Sequence, residues 1–265
     1  MIARFCSVPL AQKVLIMKIV ISPRFRAYEQ LIRAIPGGDY TAGKVFCDNR
    51  NTVFKISMDG QEFVVKKYAR PTLFNCFVYT FFRQSKAKRA YRYAKLLLRK
   101  GVETAAPVAY IEERRYGFFH TGYFISEYLP YPTLNEAESL PADEQRKLGE
   151  SFVEFTAHIH QAGILHKDYN RGNILYHRAG DGRYRFALVD INRFRFGRAN
   201  IRDCMNAFNQ LGLQLYQVTG AIVRYSTLRH MDADDNLLTF LFLKKRSTAK
   251  IKLKRTLKSF FGILP

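Results

Sequence analysis

Residues 163–192 read GILHKDYNRGNILYHRAGDGRYRFALVDIN. Two β-prone runs stand inside this stretch, 174–177 and 184–189. Between them Ala179-Gly180-Asp181-Gly182 carries the Asp-Gly pair that favours a hairpin turn. A hairpin brings the end of its second strand back beside the start of its first. Asn173 and Asp190 therefore fall at the same end of one ribbon, with Asp168 on the loop leading in. His166, Asp168 and Asn173 keep the spacing H-x-D-x-x-x-x-N. Two carboxylates and an amide oxygen converge on one point, a hard-oxygen set that suits Mg²⁺.

This arrangement resembles the catalytic loop and metal-binding aspartate of protein-kinase-like enzymes. On that template Asp168 accepts the proton of an attacking hydroxyl, and Asn173 and Asp190 hold metal ions that bridge nucleotide phosphates. A polar loop on an unrelated hairpin is the bland alternative. The bare spacing is cheap by chance, but the same spacing followed by a hairpin ending in Val-Asp is much rarer.

Composition narrows the class. A chain of 265 residues, 48% of them hydrophobic, suits one large domain or two small lobes with a sizeable core. The formal net charge of +21 predicts attraction to a polyanion: nucleic acid, anionic lipid or a phosphorylated glycan. Cys6, Cys47, Cys76 and Cys204 lie far apart and form no C-x-x-C, as expected of reduced packing residues in a cytosolic chain. No run reaches the apolar length of a membrane span.

Outward from the hairpin, the N-terminal side reads as a sheet. Residues 1–16 are mildly apolar but interrupted by Pro9 and Lys13, and are expected to be a disordered or spurious extension ahead of a short strand from Met17. A short helix over 23–35 stops at Pro36-Gly37-Gly38. Strands over 44–47, 52–57 and 62–68 form a meander with Asn49-Arg50-Asn51 at one tip. Its third strand, Phe63-Val64-Val65-Lys66-Lys67, resembles the kinase strand whose lysine contacts the α/β-phosphates. Strand alternation lets one lysine face inward, and Lys66, sharing a face with Val64, is favoured over Lys67.

Residues 84–100 have a helical pattern stopped by Gly101. A kinase helix here carries a glutamate paired to the strand lysine, yet no acidic residue occurs between Phe63 and Val102. Strands over 108–112 and 122–127 lead to Glu127-Tyr128-Leu129-Pro130, the place for a hinge whose backbone at Glu127 and Leu129 would bind adenine. Leu148, Phe152, Phe155 and Ile159 recur at helical spacing over 142–162. His158 and His160 near that helix's end are expected to be packing or capping groups rather than ligands. Past Asp190 the chain has Ile191-Asn192 in place of Phe-Gly. Helices are expected over 201–213, 215–229 and from 237 onward, leaving little room for a peptide-binding lobe.

Several stretches are similar to the bacterial lipopolysaccharide kinase (Kdo/WaaP) family. They are Arg83 to Tyr91, Pro107 to Glu112, Phe155 to His160, His166-Lys167-Asp168, Gly172 to Tyr176 and Leu188 to Arg193. The resemblance implies an α+β, bilobal protein-kinase-like fold: an antiparallel sheet N-lobe over 17–128 and a mostly helical C-lobe over 129–265. It implies ATP and Mg²⁺, with a Kdo or heptose of the lipid-A-linked core glycan as acceptor. By position, Asp168 is the base, Asn173 and Asp190 are metal ligands and Lys66 contacts phosphate. The missing helix glutamate is the departure that bears on activity. It motivates a second class, a catalytically impaired scaffold at the membrane. Another small-molecule or protein kinase of the same fold is a further alternative. Nucleic acid is disfavoured as a partner because most aromatics fall in core patterns.

From Asn236 to Pro265 there is no acidic residue, and Leu253, Leu257, Phe260, Phe261 and Leu264 recur at helical spacing beside a basic face. This pattern predicts a helix lying on an anionic membrane surface, placing the protein in the cytoplasm on the inner face of the inner membrane.

Overall fold

The structure, a computed structural model, describes residues 15–260. The chain divides into two compact units that meet in sequence at Pro130 and Tyr131. In the first, β1 (Leu15–Ile21) is followed by a 3₁₀ turn (Pro23–Tyr28) and α1 (Glu29–Ala34). Strand β1 begins ahead of Met17, so Leu15 and Ile16 belong to the sheet. Residues 1–14, the rest of the expected extension, lie outside the described residues. The meander is β2 (Ala42–Asp48), β3 (Thr52–Met58) and β4 (Gln61–Tyr68). Then come α2 (Leu73–Phe81), α3 (Lys86–Arg99), the two-residue β5 (Glu103–Thr104), β6 (Pro107–Arg115) and β7 (Phe118–Glu127). Six strands form one antiparallel sheet in the order β1-β6-β7-β4-β3-β2.

The two faces of this sheet are built differently. On one, Phe54, Ile56, Phe63, Val65, Ile111 and Ile125 alternate inward and meet Phe25, Ile32 and Ile35 from the N-terminal helical segment. Fully burying an aliphatic or Phe side chain of this kind typically contributes about 1.5–3 kcal/mol. The other face carries α3, which approaches closely because the contacts are small. Ala87, Ala90 and Ala94 are buried, and a Cβ added at Gly122 of β7 would stand 3.2 Å from the Ala87 methyl. Any side chain at 122 would require Ala87 of α3 or the Phe119 ring to give by a few tenths of an ångström. Helix α3 starts at Ser85, whose hydroxyl accepts from the Lys88 N–H at 3.1 Å, and ends at Gly101, with φ +72°.

The second unit opens with a 3₁₀ turn (Glu136–Ser139) and α4 (Ala142–Gln161), whose first turn carries Asp143 and Glu144 at the positive end of the helix dipole. It continues with β8 (Ile164–His166), β9 (Ile174–Arg178), β10 (Tyr184–Leu188) and β11 (Phe194–Phe196). Helices α5 (Ile201–Gln210), α6 (Leu215–Arg229) and α7 (Ala233–Phe260) complete it. Strands β9 and β10 pair antiparallel in the expected hairpin, closed by the Gly182 N–H donating to the Ala179 carbonyl. The short β8 pairs with β11, a strand too brief to show a periodic signal in sequence. Gly163 lets their ends close. It has φ +70°, and a Cβ there would sit 2.9 Å from the Gly197 carbonyl oxygen.

The core of this unit is aromatic. Phe152 meets Phe186 edge-on at 5.4 Å, Phe208 meets Tyr225 at 5.1 Å, and Tyr169 is completely buried. His160 is buried and within 2.9 Å of the Tyr225 hydroxyl, while His158 is exposed. Helix α7 is docked at its start, where the Asn236 amide donates to the Ser226 hydroxyl at 2.8 Å and Phe240 is buried. Residues 251–257 are exposed throughout.

Candidate active site

The loop between β8 and β9 is held by hydrogen bonds that its own sequence supplies. The Asp168 N–H donates to His166 Nδ1 at 3.0 Å, and His166 Nε2 lies 3.0 Å from the Val189 carbonyl. Since an amide N–H only donates and a carbonyl only accepts, the imidazole is the Nε2–H tautomer. His166 thus ties the loop to the strand that ends beside Asp190. The Asn173 Nδ2 donates to the Asp168 carbonyl at 2.9 Å, and the Val189 N–H donates to the Asn173 carbonyl at 2.9 Å. Asn170 completes the turn by accepting from the Gly172 N–H at 3.0 Å.

The register puts Leu188 opposite Ile174, so Asn173 and Asp190 leave the same end of the hairpin. Asp168 lies on the loop, half-buried, and not in a strand or helix. Its neighbour Tyr169 is the loop's root: the N–H donates to Gln210 Oε1 at 3.0 Å and the hydroxyl lies 2.8 Å from that of Thr156. A polar side chain rides beside a fully buried one, which fixes the loop without burying the carboxylate.

Asp190 has φ +53°, in the left-handed region that few non-glycine residues occupy and that aspartate tolerates better than most. The amide of buried Asn192 donates to Asp190 Oδ1 at 2.5 Å and fixes the carboxylate's direction. Arg193 Nη1 donates to Asp168 Oδ2 at 2.8 Å. Neither Asn192 nor Arg193 has a role in the sequence reading. Their signal was their place just after Asp190, Asn192 at the end of the quoted stretch and Arg193 immediately beyond it. The oxygen set fits a hard cation: with its nitrogen committed to the Asp168 carbonyl, Asn173 has its amide oxygen for a ligand. Among the described residues no group of three or more His, Cys, Asp or Glu could hold a metal ion. A cation on Asn173 and Asp190 would therefore draw the rest of its shell from phosphate and water.

In the first unit, Lys66 and Lys67 project from opposite faces of β4. Lys67 shares the face of Phe63 and Val65, and its ammonium lies 5.7 Å from the centre of the Tyr123 ring. Beside it, desolvation pushes the buried Glu113 carboxyl upward, the nearby Lys67 charge opposing the shift. Lys66 lies on the face where α3 packs, paired in register with Phe124, its ammonium 5.7 Å from the Tyr68 ring centre. The acid on the α3 face comes from the sheet. Glu112 of β6 is buried and accepts from the Ser85 hydroxyl at 2.5 Å, so a carboxylate clasps the residue that caps α3. At the end of β7, the Glu127 N–H donates to the Ala106 carbonyl, the Tyr128 N–H donates to the Glu62 carbonyl, and the Glu127 carboxylate accepts from Arg24 at 3.1 Å.

An antiparallel sheet carrying a lysine strand and a close-packed helix, with a helical unit bearing the His-Asp-Asn loop and its hairpin, defines a protein-kinase-like phosphotransferase fold. The structure of WaaP in complex with acyl carrier protein is similar to this chain, with a TM-score of 0.59 and 19% identity over 88% of this chain and 98% of that one. The Rio2 kinase from Chaetomium thermophilum, solved as an ADP/Mg²⁺-phosphoaspartate complex, aligns with a TM-score of 0.45 and 13% identity over 83% of this chain and 76% of that one. No curated protein sequence matches significantly. The family model described as Lipopolysaccharide kinase (Kdo/WaaP) family matches residues 48–225, more than half of the chain. The chain belongs to that family and is a lipopolysaccharide kinase by membership.

Proposed function

We propose that this protein transfers the γ-phosphoryl group of ATP to a hydroxyl of a Kdo or heptose residue in the lipid-A-linked core glycan. The observation that carries the reading is the closure of the Asp168 loop onto the hairpin end through His166, Asn173 and Val189, in a chain of this family. The acceptor oxygen forms a bond to the γ-phosphorus as the bond to the β-phosphate oxygen breaks and ADP leaves. Asp168 takes the hydroxyl proton. Its Oδ2 is engaged by Arg193, so Oδ1 is the oxygen for that proton. Asn173 and Asp190 would hold Mg²⁺, which when bound offsets the charge on the phosphates. Lys66 would contact the α/β-phosphates, and the backbone of Glu127 and Leu129 would take the adenine.

The alternative of an impaired scaffold rests on the absent glutamate of α3. Glu112 weakens that motive, because the acid-free helix still has a carboxylate fastening it to the sheet. We place the protein peripherally on an anionic membrane surface at the cytoplasmic face, through the end of α7. Eight lysines and arginines fall between 244 and 258, and Ile251, Leu253 and Leu257 are exposed rather than docked. Among the described residues no helix is long and apolar enough to cross a membrane.

The deciding experiment incubates the protein with labelled ATP, Mg²⁺ and lipid A carrying Kdo or heptose, followed by mass analysis of the glycan. One added phosphate on the sugar, absent with Asp168→Ala, is the expected outcome. Mg·ATP binding with no transfer to either sugar would favour the scaffold instead.

A further inference from the structure

The run LFNCFVYTFF between β4 and α3 is the most apolar exposed feature of the first unit. Helix α2 is N-capped by Thr72 and fastened on one side only: Cys76 is buried, Tyr79 meets Phe119 edge-on at 5.6 Å, and the Phe119 N–H donates to the Thr80 hydroxyl at 2.9 Å. Leu73, Phe74, Phe77 and Phe81 fall on the opposite side at helical spacing, and Phe82 follows at the C-cap. Their exposures are 84%, 75%, 48%, 61% and 77%. The rings pack on each other and not on a core. Phe77 lies 5.0 Å from Phe81 and 5.8 Å from Phe82, and Phe81 lies 6.2 Å edge-on to Phe118 at the start of β7. A cluster of this extent left in water marks an interaction site.

Its setting selects the occupant. From Phe63 to Val102 the chain carries eleven lysines and arginines and no acid. Exposed Arg70 and Arg83 flank α2 in sequence on either side, and exposed Arg115 and Tyr116 stand at the turn leading to Phe118. Phenylalanine has no polar tip, so these rings gain nothing from a polar partner surface and most from an apolar phase. A one-signed basic rim around an apolar helix face is the pattern of an element lying at the boundary of anionic headgroups and acyl chains.

We infer that α2 is a lipid-contacting element: its Leu73–Phe82 face enters the headgroup boundary of an anionic bilayer while the surrounding arginines and lysines hold the headgroups. This is a second membrane contact, carried by the first unit and independent of α7 and of the phosphotransfer chemistry.

The chain contains no tryptophan, so a single one placed in α2 reports that site alone. Full-length Phe81→Trp is mixed with vesicles of phosphatidylglycerol and phosphatidylethanolamine, or of phosphatidylcholine alone. The expected result is a blue shift, with quenching by bromine-labelled acyl chains, on anionic vesicles only. In parallel, full-length Phe74→Ser/Phe81→Ser/Phe82→Ser, substituted only at exposed positions, should lose about tenfold or more of its affinity for the anionic vesicles. Deleting residues 244–265 should leave the tryptophan shift in place. If the Phe81→Trp protein sediments with vesicles and its tryptophan emission does not move, the inference is overturned, as it is by the same shift on neutral vesicles. Self-association abolished by the triple substitution, with no vesicle response, overturns it in favour of a second copy of the chain.

Discussion

The hairpin end of the second unit and the α3 face of the first carry comparable tasks in a kinase-like fold, yet they are built on different principles. At the hairpin, every group that would touch phosphate or proton is fixed by partners within one short stretch of chain: His166 to Val189, Asn173 to Asp168, Asn192 to Asp190 and Arg193 to Asp168. At α3, the helix has no acid of its own, and the carboxylate on that face arrives from β6 to grip Ser85. The first arrangement is local and sets the direction of each functional group. The second is long-range and sets the position of a helix. Substitutions of the groups that hold each region in place should therefore separate, with chemistry lost at the hairpin and stability lost at the Ser85–Glu112 clasp of α3.

The largest expected effect is at Asp168. Asp168→Ala should lower turnover by about 10²–10⁴, the usual contribution of a positioned base, while the thermal midpoint changes little because the loop is rooted by buried Tyr169. Near-normal turnover in this variant would remove Asp168 as the base. Next is the choice of lysine. Lys66→Ala should reduce kcat by roughly 10²–10³, as for loss of one preorganised charge donor, and Lys67→Ala should leave kcat within a few-fold. The reverse ranking would move the phosphate contact to the other face of β4. Third comes the clasp. Glu112→Ala leaves the Ser85 hydroxyl buried without its acceptor and should destabilise by about 1–3 kcal/mol in urea unfolding, with Glu112→Gln recovering part of it. Unchanged stability in Glu112→Ala would break the contrast between the two regions.

The same contrast decides what could be read in the sequence. The hairpin, its Asp-Gly turn and the placing of Asn173 and Asp190 follow from period-two strands and one turn, so residues 163–192 suffice. The clasp joins residues from different elements across a sheet face, and neither Ser85 nor Glu112 is marked by its neighbours. Helix α2 was hidden for another reason. Leu-Phe-Asn-Cys-Phe-Val-Tyr-Thr-Phe is rich in β-prone aromatic and branched residues, and a short apolar run does not reveal its state by periodicity. The Thr72 cap and the anchoring of Tyr79 and Thr80 against Phe119 make it a helix, and those are tertiary contacts. The strand lysines were separable because alternation alone puts Lys66 and Lys67 on opposite faces.

The smallest effect tests the packing beneath the Asp168 loop. His160 of α4 is buried against Tyr225 of α6, whose hydroxyl also accepts from Arg229 Nη1 at 2.9 Å. Burial, and then the Arg229 charge, push the imidazole down to about 3, because a second proton would place a cation in the core beside a guanidinium. Tyr169, Cys204 and Tyr225, the other titratable groups packed here, are all pushed upward by burial and stay neutral. The sign follows from which state binds the proton. Below the ordinary histidine value near 6.5 the unfolded chain takes up a proton that the folded chain refuses, so stability falls as pH falls from about 6.5 towards 3. The slope from this residue is about 1.4 kcal/mol per pH unit once well below 6.5. Urea unfolding between pH 7 and 5 should show that slope in the wild type and a shallower one in His160→Gln. Parallel slopes would mean that His160 takes up its proton in the folded protein, and the loop's support would then be more open to water than the packing of Tyr169, Phe152 and Tyr225 implies.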